Sequence, residues 1–109
     1  MARKKLDTLT EQMYYALLAL WDGPRHGYGI MQFVNELTHG RVSIGAGTLY
    51  ALLGRFETEG LIFRVDARDG GRKSYRLTDH GRQVLREEYA RLRRQLSDGT
   101  GFLEGGDGP

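Results

Sequence analysis

The side chains able to do chemistry are sparse except in one place. His26, His39 and His80 fall on different stretches, without the close spacing a metal site needs. The chain has no cysteine, which removes thiolate zinc sites, a disulfide framework and a Cys nucleophile. Glu57 with Glu59, and Glu87 with Glu88, do not share a helix face, so they read as solvated carboxylates and not as an acid–base pair. No Walker sequence and no G-x-S-x-G elbow occurs, and neither Gly27-Tyr28-Gly29 nor Gly45-Ala46-Gly47 extends to G-x-G-x-x-G. The expectation is no enzyme, no metal and no cofactor. What remains is charge. Arg64, Arg68, Arg72, Lys73 and Arg76 crowd one short segment, opposed by Asp66 and Asp69. The formal net charge of +2 understates this, because Glu104 and Asp107 in the Gly-rich tail offset part of it. Such a patch on a small domain suits a polyanion, most often nucleic acid.

The element that would present this chemistry is Ser43 to Gly60. Leu49, Leu52, Leu53 and Phe56 recur at helical spacing as one apolar stripe, with Thr48, Tyr50, Ala51 and Arg55 on the opposite, small and polar face. Gly60 suits the left-handed position just past a helix end, and Gly40 ends the preceding helical stretch. Two helices across a short turn make a helix-turn-helix whose second helix points outward. Gly54, midway along it, costs roughly 1 kcal/mol against Ala.

The rest of the chain flanks this reader. Residues 1–7 are polar and read as a loose terminus. Thr8 and Glu11 form a capping box that opens a first helix, ending near Trp21 and apolar all round from Met13 onward. Such a helix must pack one face in its own core and another on a second chain, so a homodimer is expected. Asp22-Gly23-Pro24 is a turn, and a second helix follows from His26 to His39, its buried stripe being Ile30, Phe33, Val34 and Leu37. Gly27 and Gly29 at its start would let backbone N–H groups approach a phosphate, or are simply loop glycines. Leu61 to Asp66 and Lys73 to Leu77 read as a β-hairpin around Asp69-Gly70-Gly71. Phe63, Val65, Tyr75 and Leu77 would share its inner face, leaving Arg64 and Arg76 outside and a basic tip for phosphates or the minor groove.

Thr78 would cap a last helix to about Leu96, with Val84, Leu85, Tyr89, Leu92 and Leu96 as an apolar seam and Arg82, Arg86, Glu87, Glu88, Arg91, Arg93 and Arg94 opposite. The seam, with Tyr15 and Leu18 of the first helix, forms the expected dimer interface. Residues 97–109 read as a disordered Gly-rich tail in which Phe102 and Leu103 are the only anchors. The fold class is therefore mainly α with a small β-hairpin: a winged helix-turn-helix over 1–78, a dimerisation helix over 79–96 and a tail. The basic start and the apolar run Met13 to Trp21 do not make a signal peptide, and nine apolar residues are too few to cross a bilayer. A cytoplasmic protein without membrane contact is expected.

These residues together resemble the PadR family of bacterial transcriptional regulators. The resemblance lies in Gly23-Pro24-x-His26-Gly27-Tyr28, Gly47-Thr48-Leu49-Tyr50, Glu57-x-Glu59-Gly60-Leu61 and Tyr75-x-Leu77-Thr78-x-x-Gly81, and spans Leu9 to about Leu96. It implies the family's short branch with a single C-terminal helix, a homodimer, double-stranded DNA as partner, and a repressor that some members release with a small molecule. On this chain it implies that Ser43, Gly47, Thr48 and Tyr50 open the recognition helix at the major groove. His26, Gly27 and Tyr28 would lie near the backbone, and Arg68, Arg72 and Lys73 would reach flanking phosphates. An apolar or aromatic effector would sit among Tyr89, Leu92, Leu96 and Phe102 with Gln12 and Met13 of the partner. Some short relatives stack ligands on a tryptophan of the last helix. Here the only Trp is Trp21, so that specificity is not implied. The rival readings are a winged-helix protein-interaction module and an apolar-ligand carrier. Steep salt dependence of duplex binding separates DNA recognition from both.

Overall fold

The computed structural model describes residues 8–66 and 72–105; the arm residues before Thr8, Arg68 and the Asp69–Gly71 hairpin tip lie outside them. Helix α1 spans Glu11–Leu18 and starts two residues later than expected, because Thr10, not Thr8, caps it by accepting from the Met13 N–H. The reason is tertiary. Leu9 is buried, and its N–H donates to the Glu88 carboxylate, which holds the chain ahead of Thr10 out of the helix. After Leu18 the chain tightens into i→i−3 bonds from Leu20 and Trp21, which carries the turn to Trp21 without a further α-helical turn.

A two-residue strand β1 (Arg25–His26) leads into α2 (Gly27–Leu37). Ile30 and Val34 of α2 are buried and Phe33 is half-buried, but Leu37 is exposed, so the expected stripe stops one turn early. Thr38 takes over at that point. Its hydroxyl donates to the Val34 and Val42 carbonyls and accepts from the Val42 N–H, so the turn closes on polar contacts. Gly40 then turns the chain at φ +78°, where its N–H reaches back to the Asn35 carbonyl. Helix α3 covers Ala46–Thr58 and buries Leu49, Leu53 and Phe56, each side chain contributing about 1.5–3 kcal/mol by leaving water. Gly60 ends it at φ +76°, with the Leu61 N–H on the Phe56 carbonyl. No atom outside its own helix backbone lies within 4 Å of a Cβ built on Gly54, so that glycine is tolerated here and serves no packing within the chain.

Strands β2 (Ile62–Asp66) and β3 (Lys73–Leu77) form the expected hairpin, but β1 adds to its far side, giving the antiparallel order β1-β3-β2. Two residues are too short for any alternation to be read, which is why β1 has no sequence signal. The register also corrects the phase of β2. Ile62 lies opposite Leu77 and Arg64 opposite Tyr75, and directly paired residues share a face. Ile62, Tyr75 and Leu77 are thus the buried set, while Phe63 is exposed opposite Arg76. Hydrophobicity alone favoured Phe63 because β2 carries apolar residues in both phases.

Helix α4 (Asp79–Leu103) opens on Thr78, whose hydroxyl accepts from the Gly81 N–H and donates to the Gly60 carbonyl. It continues seven residues past the expected end, so residues 97–103 are helical and not a tail. Helix propagation from an established segment is cheap even through Gly99 and Gly101, and the Thr100 hydroxyl bonds back to the Leu96 carbonyl. Glu88 is the other correction on α4. It is buried, not solvated, and bound by the Arg91 guanidinium as well as by Leu9. The core is shared by α1, α2, α3, the sheet and the first half of α4, with Phe56, Leu17, Leu20 and Ile30 fully enclosed. This is the expected winged helix-turn-helix with a long C-terminal helix. Among the described residues no helix is long and apolar enough to cross a membrane.

Candidate nucleic-acid interface

The site begins at His26. The sheet fixes its backbone by pairing it with Ser74, and its Nδ1 accepts from the Gly29 N–H at 3.2 Å, capping α2. A neutral imidazole has one acceptor nitrogen, so Nε2 carries the proton. Arg72 Nη1 lies 3.1 Å from that Nε2. Both atoms are donors in this arrangement, so neither satisfies the other. Lys73 follows on β3, and Tyr28, Tyr50 and Tyr75 complete an open cleft of about 370 Å³. The cleft thus gathers imidazole, guanidinium, ammonium and phenol donors around one opening.

Of the expected reading residues, His26, Gly27, Tyr28, Tyr50, Arg72 and Lys73 line this cleft. Tyr28 on α2 and Tyr50 on α3 are exposed aromatics, and Thr48, Gly47 and Ser43 are exposed at the start of α3 and in the turn before it. The two glycines of α2 have work inside the chain. The Gly29 N–H is taken by His26, and a Cβ on Gly27 would overlap the Tyr50 hydroxyl. Gly27 therefore lets α3 lean over the start of α2, and it lines the cleft itself.

Arg64 does not join the cleft. On the inward phase of β2 it forms an ion pair with Glu57 of α3 at 3.1 Å, which turns its charge toward the helix. Arg76 stands exposed on the opposite sheet face beside Phe63. Tyr50 and Tyr75 reach the cleft from separate elements, a convergence that no local spacing announces.

A second, apolar cavity of about 270 Å³ lies between α1 and α4, lined by Tyr14, Leu18, Trp21, Leu85, Arg86 and Tyr89. It overlaps the expected effector set only at Tyr89. Met13 is buried in its own core, and Gln12, Leu92, Leu96 and Phe102 do not line it. Leu85, expected in a dimer interface, is likewise buried within its own chain. Tyr15 points elsewhere, its hydroxyl accepting from Arg41, which also pairs with Glu11. Sequence reasoning missed Tyr14 and Trp21 here because an all-apolar helix gives no phase from which to choose a lining. Arg82 and Arg86 each place a guanidinium 4.8 Å from the centre of the Trp21 ring, a pair of cation–π contacts that ties the turn after α1 to α4. Burial, and then neighbouring Tyr15, pushes the Tyr14 phenol above its ordinary value, so this wall of the cavity stays uncharged at neutral pH.

The family model for the transcriptional regulator PadR-like family matches residues 16–87, which includes the cleft and every element from α2 to β3. This chain belongs to the PadR-like family. That family is one of transcription regulators and not of enzymes. Among solved structures, a transcriptional regulator from Clostridium thermocellum superposes with a TM-score of 0.75 at 20% identity, covering 88% of this chain and 99% of that one. Bacillus subtilis PadR in complex with operator DNA gives a TM-score of 0.65 at 28% identity, covering 72% of this chain and 46% of that one. A 37.1 kDa protein in transposon TN4556 of Streptomyces fradiae is 36% identical over 72 residues, 66% of this chain. This PadR-like chain spans only 20% of that relative's length.

Proposed function

We propose that this PadR-like regulator binds an operator duplex as a homodimer and represses transcription until a small apolar or aromatic effector releases it. The observation that carries the DNA reading is the convergence of His26 Nε2, Arg72 and Lys73 on one cleft beside the exposed Thr48 and Tyr50 of α3. Donors that face outward without a shared acceptor suit a phosphate oxygen, and a helix beside them suits the adjoining major groove. A solved relative with 28% identity is in complex with operator DNA, which supports the same use of the fold here. In this reading Ser43, Gly47, Thr48 and Tyr50 meet bases or groove walls, while His26, Tyr28, Arg72 and Lys73 hold the backbone.

Dimerisation is supported by the exposed apolar row of α4, and effector release by the cavity against α1 and α4. A ligand there would change the angle between the helices, hence the spacing of two recognition helices on a palindrome. The test is fluorescence anisotropy on the chain's own upstream promoter duplex against a shuffled duplex, across about 50 to 300 mM salt. Tight, steeply salt-dependent binding that prefers the promoter is expected. Equal weak binding to both duplexes would reduce the protein to a non-specific basic domain, and no binding would favour a protein-interaction module.

A further inference from the structure

We infer that Tyr50 is a specificity-determining residue that reads a thymine methyl group with the body of its ring, and that Gly27 positions it. This rests on the DNA reading proposed above and names the group that is read. Gly27 opens α2 and is buried. Nothing in its backbone asks for glycine, because its φ is not positive and alanine is the better helix former. The demand comes from across the chain. The three atoms nearest to a Cβ built on Gly27 all belong to Tyr50: the hydroxyl oxygen, which that Cβ would overlap, Cζ at 2.8 Å and Cε1 at 3.2 Å. None of them is a backbone atom. A methyl group there would push the phenol aside and leave both helices where they are, unlike a Cβ on Gly81, which would meet the Leu61 carbonyl. Gly27 thus gives up helix propensity for the placement of one side chain.

That placement decides which part of Tyr50 is offered outward. The hydroxyl end lies over the start of α2, yet the residue is 53% exposed, so the open surface is on the body of the ring. On the same face of α3, Gly47 stands three residues before Tyr50 and Gly54 four after. Both are exposed, with nothing within 4 Å of an added Cβ, so neither position screens the ring. The other exposed positions of α3 carry Ala46, Thr48, Ala51, Arg55 and Thr58. Tyr50 is therefore the one large apolar surface on the face that would enter the groove. Ring carbon has no use for the hydrogen-bonding edges of bases. The apolar group that the major groove presents is the C5-methyl of thymine. Gly54, which weakens the helix and packs against nothing in its own chain, then has a reason: a side chain there would stand beside the ring and hold the helix away.

The test is anisotropy of the full chain on its promoter duplex, with thymines replaced one at a time by deoxyuridine, which removes only the methyl group. Wild type is expected to lose about fourfold in affinity at one thymine or more, as for one methyl group returned to water. Tyr50→Phe should behave like wild type, since the hydroxyl is turned to α2. Tyr50→Ala should bind the promoter more weakly and be indifferent to the same replacement, at an unchanged salt slope because no charge is altered. Gly27→Ala should be equally indifferent with its thermal midpoint unchanged or raised, and should add nothing in a Tyr50→Ala background. A wild type insensitive to every thymine methyl would overturn the inference, and so would a Tyr50→Phe chain as weak as Tyr50→Ala. Retained thymine dependence in Gly27→Ala, or a lowered midpoint, would remove Gly27 from the positioning role. A wild-type chain with no preference for its promoter would instead sink the DNA reading beneath, an outcome separable from all of these.

Discussion

At the residue scale, the glycines of the family-matching segments divide by what surrounds them. Gly81 lies in the first turn of α4, where a Cβ would overlap the Leu61 carbonyl oxygen, a backbone atom that cannot swing away. Gly81→Ala is therefore expected to destabilise the fold by about 1–3 kcal/mol, read from urea midpoints at unchanged m-value. Arg72 carries a different consequence. Its guanidinium faces the His26 Nε2–H and no carboxylate accepts from it among the described contacts. Removing it in Arg72→Ala should leave thermal stability within about 0.5 kcal/mol, as for a surface change. It should also weaken binding to promoter and shuffled duplexes alike and lower the salt slope by about one, in anisotropy titrations. Loss of preference for the promoter without a change of slope would mean that Arg72 reads bases instead. The basic segment was legible as a cluster; that Arg64 leaves it for Glu57 was not, because one apolar step in β2 shifts every side chain to the other face.

At the scale of elements, Glu88 joins α4 to the chain ahead of α1. The Arg91 guanidinium, and to a lesser degree the Leu9 N–H, hold its carboxyl below the usual carboxylate range, against the opposing effect of burial. A carboxyl depressed on folding contributes stability above its unfolded pKa, and that contribution disappears as pH falls through the folded value. Glu88→Gln should thus be less stable than wild type at pH 7, and the gap in thermal midpoint should close on acidification below the ordinary carboxylate range. A gap that persists there would assign the loss to packing and not to charge. The pair is invisible in the sequence, where Glu88 and Arg91 look like two more members of a solvated charged face. Leu9 makes the difference: it is buried, and its backbone N–H donates to the Glu88 carboxylate, a contact between residues far apart in the chain.

At the scale of the whole molecule, two reading heads need a rigid connection if they are to bind a palindrome. Ending the chain after Leu96 removes the last seven residues of α4, with Gly99 and Leu103, yet leaves the core untouched. The truncated chain is expected to keep its melting temperature. It should bind a full operator at least about tenfold more weakly while a single half-site is unaffected, measured by anisotropy on the two duplexes, because the second head loses its effective concentration. Equal loss on both duplexes would point to direct contact of the tail with DNA. The sequence by itself determined the helix-turn-helix, the wing and the caps at Thr78 and Gly60, since these follow from local periodicity and from backbone conformations that few residues adopt. Tertiary structure alone decided the start of α1, the phase of β2, the strand β1, the burial of Glu88 and the lining of the cavity. Each of these depends on which of two locally equivalent choices a distant segment covers, and that is set by packing across the fold.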